Sequence, residues 1–164
     1  MAEFRLAHLS DTHVVRDGVV LANGVDSNKA LRTLVNRLLN DDNIDAVLIS
    51  GDLVDKGELY EYFALRKILD PLRMKKPVFL MLGNHDSRAN FVGVFSDYPG
   101  MKNINRSWGV QYAVSLDSGC VLLVLDSLVD GQDHGYLGSE KLAWLEQMLA
   151  RHAGNSVIVA VHHP

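Results

Sequence analysis

Cysteine is almost absent from this chain. Cys120 is the single one in 164 residues, so no disulfide can form within the chain, and a reducing, cytoplasmic setting is expected. Long apolar runs are missing too. None approaches the roughly 20 residues needed to span a bilayer, and the run before Ser10 is too short for a secretory leader and contains His8. There is no excess of positive charge. The formal net charge of −4 disfavours affinity gained by neutralising nucleic-acid phosphates, so no nucleic-acid partner is expected. It says nothing against a small phosphate ligand held by cations. Internal repeats, low-complexity runs and linkers are also lacking. With 48% apolar and 22% charged residues, the chain reads as one globular domain, 1–164, with its own core.

What is present is an alternation of strand and helix signals. Apolar runs at Phe4–Leu9, Asp45–Ser50, Val78–Leu82 and Ser156–Val161 predict strands, the second nearly continuous, as in buried parallel strands. Asp26 or Ser27 can cap a helix whose stripe is Ala30, Leu31, Leu34, Val35, Leu38 and Leu39. A second helix is expected from Glu58 to Leu69 with Tyr62, Leu65, Ile68 and Leu69 inward, and Pro71 and Pro77 bracketing its exit. Ser87–Phe95 suits a short helix, and Ser96–Asn105 is turn-rich. Gly109–Leu116 and Cys120–Asp126 flank the turn signal Asp117-Ser118-Gly119 and predict a β-hairpin. Ser139 can cap a last helix reaching about His152, with Leu142, Leu145 and Leu149 inward. The expectation is α/β, with a largely parallel sheet and an added hairpin.

Four of these strands end in polar residues suited to metals. Ser10-Asp11-Thr12-His13 follows the first, Gly51-Asp52 the second, Gly83-Asn84-His85-Asp86 the third and His162-His163-Pro164 the last. A lone Asp-x-His is a common polar turn. Four such ends in order are not a chance pattern, because open α/β sheets place their sites at the carboxyl ends of strands. His8 alternates with Phe4 and Leu6 and reads as a hydrogen-bonded core histidine; Cys120 reads as a small core residue. His134 reads as a surface-loop residue, and Asp55 as an organiser of the Gly51–Gly57 turn.

Together, Ser10-Asp11-Thr12-His13, Gly51-Asp52-Leu53-Val54-Asp55-Lys56-Gly57, Gly83-Asn84-His85-Asp86 and Val161-His162-His163-Pro164 resemble the calcineurin-like metallophosphoesterases. Leu125-Asp126-Ser127, Gly135-Tyr136-Leu137 and Trp144-Leu145 add a resemblance to their class III cyclic-nucleotide phosphodiesterases and glycerophosphodiesterases. The resemblance implies a sandwich of two mixed β-sheets flanked by helices. It implies two divalent ions (Fe, Mn, Zn or Co) and a metal-bridging hydroxide that hydrolyses a small phosphodiester. Asp52 would bridge, Asp11 and His13 would serve one metal, and Asn84 and His162 the other. His85 would be catalytic, as a general acid, and Asn84, His85 and Arg88 would contact substrate, with Asn90 a further candidate. Asp86 would orient His85 or cap the following helix. Between His162 and His163 the resemblance selects His162 as ligand.

The sequence departs from the family in lacking a Gly-His-x-His motif, which gives each metal one more histidine. The expectation is a domain incomplete at its C-terminal end, with open strand edges here and a homo-oligomer in the full-length protein. Two rivals stand beside the diesterase. One is a phosphomonoesterase or protein phosphatase, against which Lys56 and Asp86 speak, since phosphatases carry Arg and Glu there. The other is a non-catalytic scaffold.

Overall fold

The computed structural model describes residues 3–101, 104, 109–117 and 119–163. Asn105 in the turn-rich stretch, Ser118 in the hairpin turn and Pro164 in the last motif lie outside the described residues. The described residues form, in order, β1 (Leu6–Leu9), α1 (Ser27–Leu39), β2 (Ala46–Ser50), α2 (Leu59–Arg73), β3 (Val78–Met81), α3 (Arg88–Phe95), β4 (Tyr112–Ser115), β5 (Val121–Val124), α4 (Ser139–Arg151) and β6 (Val157–Ala160).

They form two three-stranded sheets. The first, in the order β1-β2-β3, is parallel throughout, with Leu9 beside Ile49 and Ser50 beside Met81. The second, β4-β5-β6, is mixed: β4 and β5 make the expected hairpin, and β6 runs parallel to β5. Parallel register decides where chemistry can occur. It brings the carboxyl ends of β1, β2 and β3, with the residues that follow them, to one edge. Leu122 and Val124 face the common core with Ile49, Leu80 and Tyr62, whereas Val121 and Leu123 face Met148 of α4. That period-2 alternation makes β5 a strand covered on both faces. No helix is long and apolar enough to cross a membrane among the described residues.

Several expectations need correction. Pro71 does not end α2 but sits within its last turn, two residues before Arg73. Proline in a helix interior costs about 3 kcal/mol. Leu69 and Leu72 on either side are fully buried, at about 1.5–3 kcal/mol each, which is enough to carry the helix past it. Ser139 is the first residue of α4 and not its cap, which is Gly138. Leu142 and Leu149 are not inward: they are 49% and 42% exposed, and Met148 is the residue of α4 that is buried. His8 is hydrogen-bonded, sharing a 2.6 Å bond with Ser50 Oγ, but it is exposed and not a core residue. Cys120 is half-buried and packs against the core.

Candidate metal centre

The loops after β1, β2 and β3 and the end of β6 converge on Asp52. Its backbone is left-handed (φ 47°), as is that of Asp11 (φ 55°) and His13 (φ 37°), and these are the non-glycine residues with positive φ among the described residues. Each such residue costs of order 1–3 kcal/mol and persists only where the surroundings hold it. That all three are candidate site residues marks this edge as the place where strain is kept. It is held by a parallel ladder of hydrogen bonds, Asp11 N to Gly51 O, His13 N to Asp52 O and Val14 N to Leu53 O, of 3.0–3.2 Å.

Asp52 is buried, and three imidazoles turn Nε2 towards it. His162 Nε2 lies 3.4 Å from Oδ1; His13 Nε2 and His85 Nε2 lie 3.7 and 3.9 Å from Oδ2. Two of the rings are held through Nδ1. His162 Nδ1 donates to the Ser50 carbonyl at 2.7 Å and His85 Nδ1 to the Asp55 carbonyl at 2.7 Å. A carbonyl oxygen can only accept, so Nδ1 carries the hydrogen and the Nε2 lone pair of the neutral ring is left for a cation or a proton. His13 Nδ1 is buried without a hydrogen bond, 3.7 Å from Asp55 Oδ1. Glycines permit this crowding. A Cβ at Gly51 would meet the His162 ring, and one at Gly83 would collide with Asp52 Oδ1.

Two groups of donor atoms result, each within 4.8 Å and both containing Asp52: His13, Asp52 and His85, and Asp11, Asp52 and His162. Carboxylate and imidazole are suitable donors for divalent transition metals, and a shared carboxylate suits a pair of them, so the residues fit the expected cofactor. The grouping differs from the expected one. His85 shares a donor group with His13, the two rings edge-to-face at 4.7 Å, and Asp11 shares one with His162, although Asp11 Oδ1 is also 4.0 Å from His13 Nε2. Asn84 is half-buried between Gly83 and His85, whose backbone N–H donates to Asp52 Oδ1 at 3.0 Å.

The electrostatics are those of a cluster built for positive charge. Burial pushes the Asp52 carboxyl up. The hydrogen bond from His162, that from the His85 backbone and the charge of both rings outweigh it and hold the group below its ordinary value. The Asp52 hydrogen bond raises His162 to about 9, against burial. His163 goes elsewhere: burial and the neighbouring His162 lower it, and its Nδ1 shares a 2.7 Å hydrogen bond with buried Ser127.

Other expected site residues are tied into the scaffold. Arg88 Nε and Nη2 each donate at 2.8 Å to the fully buried Asp126 carboxylate, and the guanidinium also meets Asp130 and the Leu128 carbonyl. Asn90 donates to the Gly57 carbonyl at 2.8 Å. Asp86 takes neither role foreseen for it. Its oxygens accept from Leu53 N, Gly83 N and Tyr62 Oη, at 2.8–3.1 Å, and Ser87 caps α3. Burial raises Asp86 to about 6. Two contributors carry no role in the sequence analysis, Ser10, which donates to Asp11, and the Ser50 carbonyl behind His162; a third, Asp55, expected only to organise its turn, also stands behind both His13 and His85. The Asp52-x-x-Asp55 spacing was the available signal for the last.

Residues 4–164 match the calcineurin-like phosphoesterase family. A cAMP/cGMP dual specificity phosphodiesterase of Mycobacterium tuberculosis is 34% identical over 167 residues, covering 99% of this chain and 50% of that protein. A glycerophosphodiester phosphodiesterase of Enterobacter lignolyticus is 34% identical over 161 residues, covering 97% and 56%. The chain thus spans about half the length of these curated relatives. A dimetal phosphatase from Danio rerio shares the fold at 14% identity, with a TM-score of 0.75 over 98% of this chain and 70% of that one.

Proposed function

Because the chain belongs to the calcineurin-like phosphoesterase family, we propose that it carries the binuclear metal centre of a phosphodiesterase acting on a small diester of the cyclic-nucleotide or glycerophosphodiester type. One observation supports this above the rest: the buried Asp52 carboxylate belongs to two separate donor groups. Two divalent ions, drawn from Fe, Mn, Zn and Co, would supply charge that attracts the anionic diester and acidifies a shared water for attack on phosphorus as hydroxide.

The residues divide the remaining work. Asp52 faces both donor groups, and Asp11, His13, Asn84 and His162 complete the ligand set. Ser50 and Asp55 fix the ring orientation of His162 and His85 through their carbonyls. His85 is exposed, with Nε2 3.9 Å from Asp52 Oδ2, and once Nε2 has taken a proton from solvent it can pass that proton to the departing alcohol oxygen. That role is worth roughly 10²–10⁴ in rate. Arg88 serves the substrate indirectly, by anchoring α3 through Asp126.

The test is turnover of bis(4-nitrophenyl) phosphate against 4-nitrophenyl phosphate by the Mn²⁺-loaded protein, before and after chelation. Metal-dependent preference for the diester is expected. Preference for the monoester would favour a phosphatase, and metal binding without turnover a scaffold.

A further inference from the structure

Beside Asp11 and His13 lies a cavity of about 230 Å³, formed between the loop after β1 and the first half of α1. Leu9, Leu21, Val25, Leu31 and Leu34 supply most of its wall. Three hydroxyls also line it, and each already donates inward. Ser10 Oγ donates to the Asp11 carboxylate, Thr12 Oγ1 to the Leu53 carbonyl at 2.8 Å, and Ser27 Oγ to the His13 carbonyl at 2.7 Å. Val25 and Leu34 are 48% and 39% exposed, an apolar flank on a cluster of carboxylates and imidazoles.

The three hydroxyls, spent as donors, can only accept from an entering group, so a hydroxyl on that group finds partners only as a donor and its own lone pairs find none among them. An aromatic or aliphatic group would lose nothing and would cover the exposed leucine and valine. The size suits a part of a ligand: whole drug-sized ligands occupy about 300–1,000 Å³. Asp11 and His13 belong both to this wall and to the donor groups around Asp52. A phosphate held at the metal centre can therefore reach the cavity with one of its substituents.

We infer that this cavity receives an apolar aryl or alkyl substituent of the phosphodiester. The inference rests on the phosphodiesterase reading above. The experiment is calorimetric titration of the Mn²⁺-loaded protein with phenylphosphonate and with methylphosphonate, in the wild type, in Ala30→Trp, which fills the cavity, and in Leu34→Asp, which charges its mouth. Neither position belongs to the metal centre, and circular dichroism checks the fold of each variant. Phenylphosphonate should bind at least about tenfold tighter than methylphosphonate to the wild type. The difference should vanish in both variants while methylphosphonate affinity stays unchanged. Equal affinities in the wild type, or a preference that survives in a folded variant, overturns the cavity assignment alone. Failure of methylphosphonate itself to bind overturns the metal-centre reading, and the cavity assignment with it.

Discussion

At the residue scale, Asp52 and His85 carry separable predictions. Asp52 is the carboxylate common to both donor groups. In Asp52→Asn, bound metal measured by elemental analysis should fall from two equivalents to at most one, with turnover lost. His85→Ala should lower kcat about 10²–10⁴-fold while leaving two equivalents of metal bound. Loss of metal in that variant would instead make His85 a ligand, as its place beside His13 permits. Asp55 stands behind His13 Nδ1 at 3.7 Å, and groups of this kind tune metal affinity about 10–100-fold. Asp55→Ala should weaken Mn²⁺ binding by that factor in a competition assay with a chelator.

At the element scale, ion pairs and buried hydrogen bonds hold the loops that carry these residues. Asp97, just beyond α3, accepts two hydrogen bonds from Arg66 of α2 and one from Arg73, at 2.8–2.9 Å. The Arg66 hydrogen bonds hold its carboxyl below the ordinary carboxylate value, against slight burial. A depressed carboxylate stabilises the fold above the unfolded-state value of about 3.9 and loses that contribution as pH falls through the folded-state value. The stability gap between wild type and Asp97→Asn, from urea melts, should therefore be widest above pH 5 and close below about pH 4. Ser127 lies after β5 and holds His163 after β6, where a Cβ at Gly135 would also strike the His163 ring. Since His163 Nε2 has no hydrogen-bond partner among the described residues, Ser127→Ala would leave the buried ring with none among them. A loss of about 1–3 kcal/mol is expected from the same melts.

At the scale of the whole molecule, stability is unevenly distributed. β2 is central in its sheet and every residue in it is buried; β6 is an edge strand whose Val159 is exposed, beside Val161. Amide exchange should accordingly be slowest in β2 and faster in β6 and α4, as mass spectrometry of exchanged peptides would report. Uniform protection across the two sheets would contradict this. The Arg88–Asp126 pair joins α3 to the end of β5 and so couples the two sheets near the site. Its buried carboxylate also accepts from Val110 N and Leu128 N, so breaking the pair leaves a charge without its counter-ion.

The sequence by itself determined the order of strands and helices and the donor residues at the strand ends. Both are local properties: an apolar run with flanking turn residues specifies a strand, and the side chain after it is read directly. The inward set of α2 was legible for the same reason, since its 3.6-residue stripe meets a core that the chain itself supplies. Tertiary structure decided the rest. Which donors share a cation site depends on parallel register across β1, β2 and β3, and on a contact from His162 to Ser50 that spans 112 residues. The resemblance alone chooses His162 over His163 as a ligand; what the fold adds is that His163 Nδ1 is paired with Ser127, 36 positions away. Arg88 and Asp86 carried charges that suited a site, but the residues that absorb them, Asp126 and Tyr62, are 38 and 24 positions away. The stripe of α4 failed for a related reason: periodicity shows that a helix has an apolar face, and only what packs against that face decides whether it is buried.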